Sequence, residues 1–257
     1  MKKGVEFFSL SGKKAIVTGG AKGLCYKMAE ALHDAGAEIV LLDVLEQAYD
    51  SAKELGKEGA PVHAVIGDLS DEASLKSAYQ KALEVLGGRI DILLNGAGIQ
   101  FRCKAEDFPS DRWRKILDIN LSAVFFMSQE AGKTMLKQGY GKIINIASMT
   151  SFMASVMIPA YAASKAGVAQ ITKALSNEWA GRGIHVNAIA PGYMNTQLTE
   201  DMKKVNPAQY EEITNRIPMG RWGEPEDLQG ITVFLASDAS DYVSGAVIPV
   251  DGGYLGK

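Results

Sequence analysis

The chain has 257 residues, of which 47% are hydrophobic and 22% charged, and its formal net charge at pH 7 is −3. This is the composition of a globular protein, and a mildly acidic chain offers no basic field to a phosphate backbone, so we expect no nucleic-acid binding. Two cysteines, Cys25 and Cys103, are too few for a disulfide framework, which favours a reducing cytoplasmic compartment.

Two segments are candidates for an export or membrane sequence. The N-terminal MKKGVEFF has two lysines, but Glu6 interrupts the apolar stretch before a signal-peptide core forms. The uncharged run between Lys142 and Lys165 has the length of a membrane span but contains four serines, Asn145 and Pro159. We therefore expect no membrane segment, and this run should form a buried strand followed by an uncharged loop.

Short β-rich runs alternate with helix-length stretches along the chain. The predicted strands are AIVTG (15–19), EIVLLD (38–43), VHAVIGD (62–68), IDILLN (90–95), KIINIAS (142–148), HVNAIAP (185–191) and AVIPVDGG (246–253). Helical periodicity covers 71–86, 111–137 and 160–181. The strand runs are apolar throughout, which is typical of strands covered by helices on both faces. The sequence therefore predicts one α/β domain over 1–257, a Rossmann-type doubly wound parallel sheet.

One stretch does not fit this alternation. Residues 193–218, which include Met, Asn and Pro, are too long for an ordinary connection. Long loops in compact domains often carry function, so we predict a lid over a bound ligand. A surface insertion without function is the alternative.

A glycine-rich turn, TGGAKGLC (18–25), joins the first strand to a helix that ends near Gly36. Glycines at a strand–helix junction let backbone amides and the helix N-terminus face a pyrophosphate without side chains in the way. Taken alone, the turn is equally compatible with a tight connection that binds nothing. We predict cofactor contacts at Gly19, Lys22, Gly23 and Leu24.

Asp43 adds a second part of a dinucleotide site. It closes the second strand about twenty residues after the glycine turn, where a carboxylate can accept hydrogen bonds from the adenosine ribose. A carboxylate there repels a 2′-phosphate, so the sequence favours NAD over NADP; capping the next helix is the alternative role. Ligands lie at strand ends in such sheets, which adds Asp68, Leu69, Asn95, Ala97 and Gly98.

Tyr161 and Lys165 lie on a helical stretch with a spacing that projects both side chains from one face. The spacing alone carries little weight, because Tyr49 and Lys53 repeat it on a segment with a surface pattern. Ser148 distinguishes the first pair, since it ends the fifth strand and can meet both side chains at the carboxyl edge of the sheet. We predict that Ser148, Tyr161 and Lys165 are catalytic.

A tyrosine acts as a base near neutrality only if its pKa falls by about three units, or about 4 kcal/mol. A lysine ammonium about 4 Å away, at an effective dielectric constant of about 20, provides an interaction of that size. We therefore predict that Lys165 lowers the pKa of Tyr161 while Ser148 hydrogen-bonds the reacting oxygen. Asn120, inside the predicted helix 111–137, supplies a fourth polar group, although a helix-interior Asn bonded to backbone is the simpler interpretation.

With these residues in place, the chain resembles the short-chain dehydrogenase/reductase family over essentially its whole length. The resemblance rests on TGGAKGLC, Asp68, NGAG, Asn120, Ser148, YAASK and PGYMNT, which follow one another in the family's order and spacing. It implies a catalytic tetrad of Asn120, Ser148, Tyr161 and Lys165, with the lysine also holding the nicotinamide ribose. It further implies strand order 3-2-1-4-5-6-7, a homotetramer, and nicotinamide contacts at Pro191, Gly192 and Thr196.

Two positions depart from the family's pattern. Cys25 stands where the glycine motif normally has its last Gly, and Gly96 replaces an Asn that usually supports the sheet. A Cys25 thiol pointing to the phosphates would crowd the cofactor and gain a lowered pKa from the helix N-terminus. A thiol pointing inward against the first strand would behave as a small buried hydrophobe. We predict the inward orientation, because free cysteines are among the most buried residue types.

Several segments resemble the sugar-acid branch of the family, meaning gluconate 5-dehydrogenases and 2-deoxygluconate or 2-dehydro-3-deoxygluconate dehydrogenases. They are GIQFR (98–102), NIASM (145–149), APGYMNTQ (190–197), GRWG (220–223) and SDYVSG (240–245). A carboxylated polyol needs a cation, and Arg102 is the predicted anchor, with a solvated loop arginine as the alternative. Ser148, Met149 and Tyr161 complete the predicted substrate site.

Other functions are compatible with the same residues. The uncharged wall 149–158 suits an apolar substrate equally well, which leaves a 3-oxoacyl carrier-protein, secondary-alcohol or steroid-type ketone reductase as the alternative enzyme. An NAD(H)-binding redox sensor is the alternative outside enzymes, but a pure binder has no need for four catalytic residues. His33, His63 and His185 stand in neither a nucleophile-elbow nor a metal-ligand pattern, so we expect no hydrolase and no metal.

Overall fold

The structure is a computed structural model that describes residues 4–196 and 203–257. Within them, seven parallel strands form one sheet in the order β3-β2-β1-β4-β5-β6-β7. The strands are β1 Lys14–Thr18, β2 Glu38–Asp43, β3 Val62–Ile66, β4 Ile92–Asn95, β5 Gly141–Ile146, β6 Ile184–Pro191 and β7 Val247–Val250. The predicted doubly wound sheet and its strand order are confirmed, and the strand ends differ from the prediction by a few residues at most.

Helices cover both faces of the sheet. They are α1 Gly23–Asp34, α2 Gln47–Leu55, α3 Glu72–Val85, α4 Ser110–Leu117, α5 Ala123–Gln138, α6 Pro159–Trp179, α7 Pro207–Arg216 and α8 Gln229–Ala236. Successive side chains of a strand point to opposite faces. In β1, Val17 packs in the core that includes α1 and α8, whereas its neighbour Ile16 packs in the core that includes α3 and α5. This two-sided burial explains why the strand runs are apolar throughout.

The predicted helix 111–137 contains an irregularity that its periodic pattern does not reveal. A π-helical turn occupies Asp118–Ser122 between the end of α4 and the start of α5. Such turns occur mostly as single insertions in α-helices, often at functional sites. Asn120 lies in the middle of this turn and is completely buried.

The stretch predicted to form a lid contains α7, and its residues 197–202 lie outside the described residues. The Tyr210 ring of α7 stacks on Trp222 with ring centres 4.7 Å apart, and Trp222 Nε1 donates to Thr214 Oγ1 at 2.9 Å. α7 is therefore packed against the segment that follows it, and its function as a lid stays a prediction.

The uncharged run between Lys142 and Lys165 forms most of β5, the following loop and the first residues of α6. The predicted strand and loop are both present. In the part of the chain that the structure describes, no helix has both the length and the apolar character needed to cross a bilayer.

Candidate active site

A cleft of about 630 Å³ opens at the carboxyl edge of the sheet, where β1 to β5 end. This is the edge where ligands lie in doubly wound sheets, beside the point at which the strand order reverses between β1 and β4. The predicted cofactor residues that line it are Gly19, Lys22, Leu24, Asp43, Asp68, Leu69, Ala97, Gly98, Tyr161, Lys165 and Thr196.

The glycine turn at the floor of the cleft depends on two left-handed residues, Gly19 (φ +70°) and Gly23 (φ +67°). A Cβ atom at Gly19 would lie 2.8 Å from Ala97 Cα, so this glycine also lets the turn approach the end of β4. Lys22, the N-cap of α1, is extended and gives the helix no side-chain cap. The first amides of α1 thus lack a side-chain acceptor, and the cradle fits the pyrophosphate of a dinucleotide.

Asp43 is fixed in the wall of the cleft by backbone hydrogen bonds. Its Oδ2 accepts from the Ala21 N–H at 3.0 Å, and its Oδ1 accepts from the Leu45 N–H at 3.1 Å. Glu46, not Asp43, is the N-cap of α2, so the helix-capping alternative does not hold. The carboxylate instead joins the glycine turn to the end of β2.

Asp68 follows the end of β3 and faces the same cleft. Its Oδ1 accepts from the Ser70 hydroxyl at 2.7 Å and from the Ser70 N–H at 2.8 Å. These hydrogen bonds hold the pKa of the Asp68 carboxyl below its usual value. The cleft wall therefore carries a negative charge at this point.

Three predicted catalytic side chains converge beyond the end of β5. The Ser148 hydroxyl accepts from the Thr150 N–H at 3.1 Å and neighbours the Tyr161 phenol. Lys165 Nζ donates to the Ile146 carbonyl at 2.6 Å and lies 5.7 Å from the centre of the Tyr161 ring. β5 and the first turns of α6 thus bring the three groups together, with Tyr161 and Lys165 lining the cleft and Ser148 beside Tyr161.

The pKa of Tyr161 does not shift in the direction that the sequence analysis predicts. Burial raises it, and the neighbouring Ser148 side chain acts in the opposite direction with a smaller effect. Burial also lowers the pKa of Lys165 to about 8. The predicted fall in the pKa of Tyr161 is therefore not found, because desolvation by burial is the largest effect on it. Near pH 7 Tyr161 is a neutral phenol, which is suited to donating a proton.

Asn120 lies behind the wall of the cleft. Its Oδ1 accepts from the Ile99 N–H at 2.8 Å, and its Nδ2 donates to the Ile99 carbonyl at 2.9 Å and to Ser164 Oγ at 3.4 Å. Ser164 Oγ in turn donates to the Tyr161 carbonyl at 2.7 Å. The side chain thus ties the turn after β4 to α6, which holds the turn and Tyr161 in position.

Other predicted cofactor residues lie beside the cleft. Asn95 is buried, and its Nδ2 donates to Asn145 Oδ1 at 2.9 Å and to Ser128 Oγ at 3.0 Å, inside the sheet layer. Gly192 follows the end of β6, marked by Pro191, and a Cβ atom there would lie 2.7 Å from Asp251 Cα. Asn95 thus links β4 to β5 and α5, and Gly192 allows the close approach of Asp251, while their contacts with a cofactor stay a prediction. Gly23 lies at the exposed start of α1.

Two further predicted substrate residues, Arg102 and Met149, lie on the segments that follow β4 and β5. Arg102 is exposed, has no ion pair within residues 4–196 and 203–257, and lies near the Tyr193 phenol. The Cys103 N–H donates to the Met157 carbonyl at 2.9 Å, which joins the Arg102 loop to the loop before α6. Met157 itself has φ +67°, a strained conformation of the kind found at functional sites. Met149 is buried beside α7.

The sequence analysis missed two apolar parts of the site. Ile99, Ile119 and Ile146 line the cleft. Tyr193 packs its ring 5.0 Å from that of Trp222 and 5.5 Å from that of Tyr254, in a cluster that also contains Met149. Tyr193 could have been found from its position directly after the PG dipeptide (191–192) at the end of β6.

The sequence profile of the family described as enoyl-(acyl carrier protein) reductase matches residues 19–255. The chain belongs to this family of short-chain dehydrogenases/reductases, so it is an oxidoreductase that binds a nicotinamide nucleotide. The predicted family and enzyme class are confirmed.

Several relatives are similar to this chain over nearly its whole length. The 2-dehydro-3-deoxy-D-gluconate 5-dehydrogenase of Bacillus subtilis is 45% identical over 98% of each chain. The enzyme of that name from Escherichia coli is 44% identical over 97% of this chain and 98% of its own. A crystal structure of a gluconate 5-dehydrogenase from Burkholderia cenocepacia, in complex with NADP and tartrate, has a TM-score of 0.93 and 38% identity over 98% of both chains.

Proposed function

We propose that this protein interconverts a secondary alcohol and a ketone on a sugar acid of the gluconate or deoxy-ketogluconate type, with NAD(H) as the cofactor. The observation that carries the proposal is that Tyr161 and Lys165 line a cleft whose floor fits a dinucleotide, with Ser148 in contact with Tyr161. The names of the similar proteins support the sugar-acid class. The direct test is oxidation of a sugar acid by the purified protein.

A bound nicotinamide supplies or accepts the hydride in such a reaction. Tyr161, which burial keeps protonated, gives its proton to the carbonyl oxygen during reduction and recovers it during oxidation. Ser148 donates a hydrogen bond to the same oxygen and holds it near the phenol. At 5.7 Å from the ring centre, the Lys165 ammonium stabilises the transient phenolate by about 3 kcal/mol at an effective dielectric constant of about 20.

A ketone reductase for an apolar substrate is the second candidate. The apolar lining formed by Ile99, Ile119 and Ile146 favours it, and so does the loop with Met153 and Met157. That group includes 3-oxoacyl carrier-protein, secondary-alcohol and steroid-type reductases. A carboxylate-free ketone turned over as well as a sugar acid would select this candidate. A protein that binds NADH but turns over neither class would instead be a redox sensor.

The preference for NAD rests on Asp43. Its carboxylate lies in the cleft wall, where it can accept hydrogen bonds from ribose hydroxyls and repel a 2′-phosphate. NADP is the alternative, because Lys22 is an exposed cation lining the same cleft and the similar Burkholderia enzyme holds NADP. Hydrogen bonds from two backbone amides keep the Asp43 carboxylate in place, which favours NAD over NADP.

We expect Asp43→Ala to weaken NAD binding and to reduce the preference for NAD over NADP. The change removes both an acceptor for the ribose and a like-charge repulsion, each worth about 1 to 3 kcal/mol. The measurement is kcat/KM with each cofactor in both proteins. Asp50→Ala, at an exposed carboxylate of α2 outside the cleft lining, is the matched control and should leave the NAD value nearly unchanged. A wild-type preference for NADP that Lys22→Ala abolishes would contradict the assignment.

Arg102 is the proposed anchor for the substrate carboxylate. The guanidinium is exposed, lies within electrostatic range of the Tyr193 phenol and has no carboxylate partner within the described ranges 4–196 and 203–257. A planar guanidinium can bind a carboxylate through two parallel hydrogen bonds. The backbone bond between Cys103 and Met157 fixes the loop that carries it.

We expect Arg102→Ala to raise KM for a sugar acid by about 10- to 100-fold, since a charge-assisted hydrogen bond contributes about 1.5 to 3 kcal/mol. The KM for a neutral polyol or ketone should not change. Lys104→Ala removes a nearby exposed cation and is the matched control. Equal KM values for sugar acids in wild type and Arg102→Ala would show that the carboxylate binds elsewhere.

The proposal also covers the oligomeric state, the location in the cell and the function of residues 193–218. We infer from the family resemblance that the protein is a homotetramer, and from its two cysteines that it is cytoplasmic. From the length of the connection we infer that 193–218 closes over the substrate as a lid. The contacts of α7 with Trp222, and the place of Met149 in the same apolar cluster, support a lid that meets the substrate loop.

A further inference from the structure

We propose that Cys25 and Gly96 form a complementary pair that sets the shape of the cofactor cleft. The Cys25 thiol occupies the space that the absent side chain of residue 96 leaves open. Residue 96 therefore cannot gain a side chain while Cys25 is present, and together the two positions determine where the turn after β4 lies.

The first support is the burial of Cys25 and its contact with Gly96. Cys25, in the first turn of α1, is 7% exposed and packs in the same core as Val17 and Leu94. A Cβ atom built on Gly96 would overlap Cys25 Sγ and would lie 3.1 Å from the Thr18 carbonyl oxygen. The thiol thus points inward against the end of β4, which confirms the orientation predicted from the sequence.

A second contact between the glycine turn and the turn after β4 also depends on a glycine that leaves room for its neighbour. Gly19 leaves room for Ala97, since a Cβ atom on Gly19 would lie 2.8 Å from Ala97 Cα. Thr18 Oγ1 accepts from the N–H groups of both Gly96 and Ala97, at 3.0 and 3.2 Å. At each contact, one residue without a side chain faces one with a small side chain. The glycine turn and the turn after β4 are therefore fitted to each other, and Gly19, Cys25, Gly96 and Ala97 all line the cleft.

The pair also explains the two departures from the family's sequence pattern together. That pattern has the small residue at position 25 and the larger one at position 96, whereas this chain has Cys25 and Gly96. In this chain the larger side chain of the contact is therefore at position 25 instead of position 96. Cys25 fills that volume, which is why it need not crowd the pyrophosphate. Burial raises the pKa of the Cys25 thiol to about 12, so the thiol is neutral and unreactive near pH 7.

The test is a double-mutant cycle with Gly96→Ala and Cys25→Gly, singly and combined, in which the dissociation constant of NADH is measured by fluorescence. Cys25→Gly alone should change NADH affinity by less than about twofold. Gly96→Ala alone should weaken it by about tenfold, because Ala97 and Gly98 shift with the turn. The double variant should recover to within about threefold of wild type. Gly230→Ala, at a glycine with open space around it, should have no effect.

The readouts separate a specific effect on the cleft from general destabilisation. Gly96→Ala should raise KM for the cofactor but not KM for the substrate at temperatures well below its melting point. In a Cys103→Ser background, it should also speed alkylation of Cys25, which should be slow in wild type with and without NAD. An equal loss of affinity from Gly96→Ala with and without Cys25 would overturn the pairing. Rapid labelling of wild-type Cys25 that NAD suppresses would overturn its inward orientation.

If Gly96→Ala does not fold, the complementary substitution pair Cys25→Gly and Gly96→Asn, made together, still tests the proposal. It restores the family's arrangement and should bind NADH nearly as wild type does. A folded double variant that cannot bind NADH would contradict the proposal. NADH affinity and Cys25 alkylation are measured without a substrate, so the pairing can fail while the proposed sugar-acid activity stands.

Discussion

Tyr161→Phe is expected to lower turnover by about 10²- to 10⁴-fold, the range that a positioned proton donor contributes. The change removes only the hydroxyl that exchanges a proton with the substrate oxygen, and it keeps the ring that packs beside Lys165. NADH affinity should stay close to wild type, because the glycine turn, Asp43 and Lys165 are unchanged. The measurements are kcat with saturating substrate and the NADH dissociation constant by fluorescence.

The chain provides its own control for this prediction. Tyr49 has the same spacing to Lys53 that Tyr161 has to Lys165, but it is 56% exposed on α2. Tyr49→Phe should therefore leave kcat and stability nearly unchanged. Near-normal turnover in Tyr161→Phe would remove Tyr161 from the proposed mechanism.

Lys165→Met is expected to lower kcat by about 100-fold and to change the pH dependence of stability. The turnover loss follows from the roughly 3 kcal/mol by which the ammonium stabilises the Tyr161 phenolate. The stability effect follows from burial, which lowers the pKa of Lys165 from 10.5 to about 8. At pH values below about 8 the folded protein therefore carries a buried charge that costs about 3 kcal/mol.

The sign of the pH effect follows from proton binding in the two states of wild type. Between about pH 8 and 10.5 the unfolded chain keeps the proton on Lys165 and the folded chain has lost it. The free energy of unfolding of wild type therefore increases as the pH rises through this range. Methionine has no such group. The stability of Lys165→Met relative to wild type should therefore fall by about 3 kcal/mol from pH 8 to pH 10.5 in urea denaturation.

Lys53→Met is the matched control, because it makes the same substitution at an exposed lysine of α2. Lys165→Met also removes the hydrogen bond from Lys165 Nζ to the Ile146 carbonyl, and this loss changes stability by the same amount at every pH. The test is therefore how the stability difference between the variant and wild type changes with pH, not how large that difference is. A stability difference that does not vary with pH would contradict the buried charge at Lys165.

Patterns of neighbouring residues along the chain correctly predicted the sheet and the place of the cleft. Continuous apolar runs indicated strands covered on both faces, and alternation with helices gave the parallel sheet, whereas the strand order came from the family resemblance. Strand ends then located the cleft, since parallel strands bring their carboxyl ends to one edge. The meeting of Ser148 with Tyr161 followed from a strand end and the first turns of the next helix.

Features that depend on contacts between distant segments could not be predicted in the same way. The π turn around Asn120 is not visible in an apolar pattern that α4 and α5 continue on both sides of it. The fit of Cys25 to Gly96 joins two turns that only the sheet brings together. The pKa of Tyr161 depends on how deeply the phenol is buried, and residue spacing carries no information on that depth.

The most direct test of the proposed activity is the appearance of NADH absorbance when wild-type protein is mixed with NAD and a panel of substrates. The panel contains gluconate, 2-dehydro-3-deoxygluconate, a neutral polyol of similar length and a simple secondary alcohol. We predict oxidation of at least one of the two sugar acids with a kcat/KM at least about tenfold above that of the neutral compounds, and its loss in Tyr161→Phe. Oxidation of the simple alcohol alone, or sugar-acid turnover that survives in Tyr161→Phe, would contradict the proposed function.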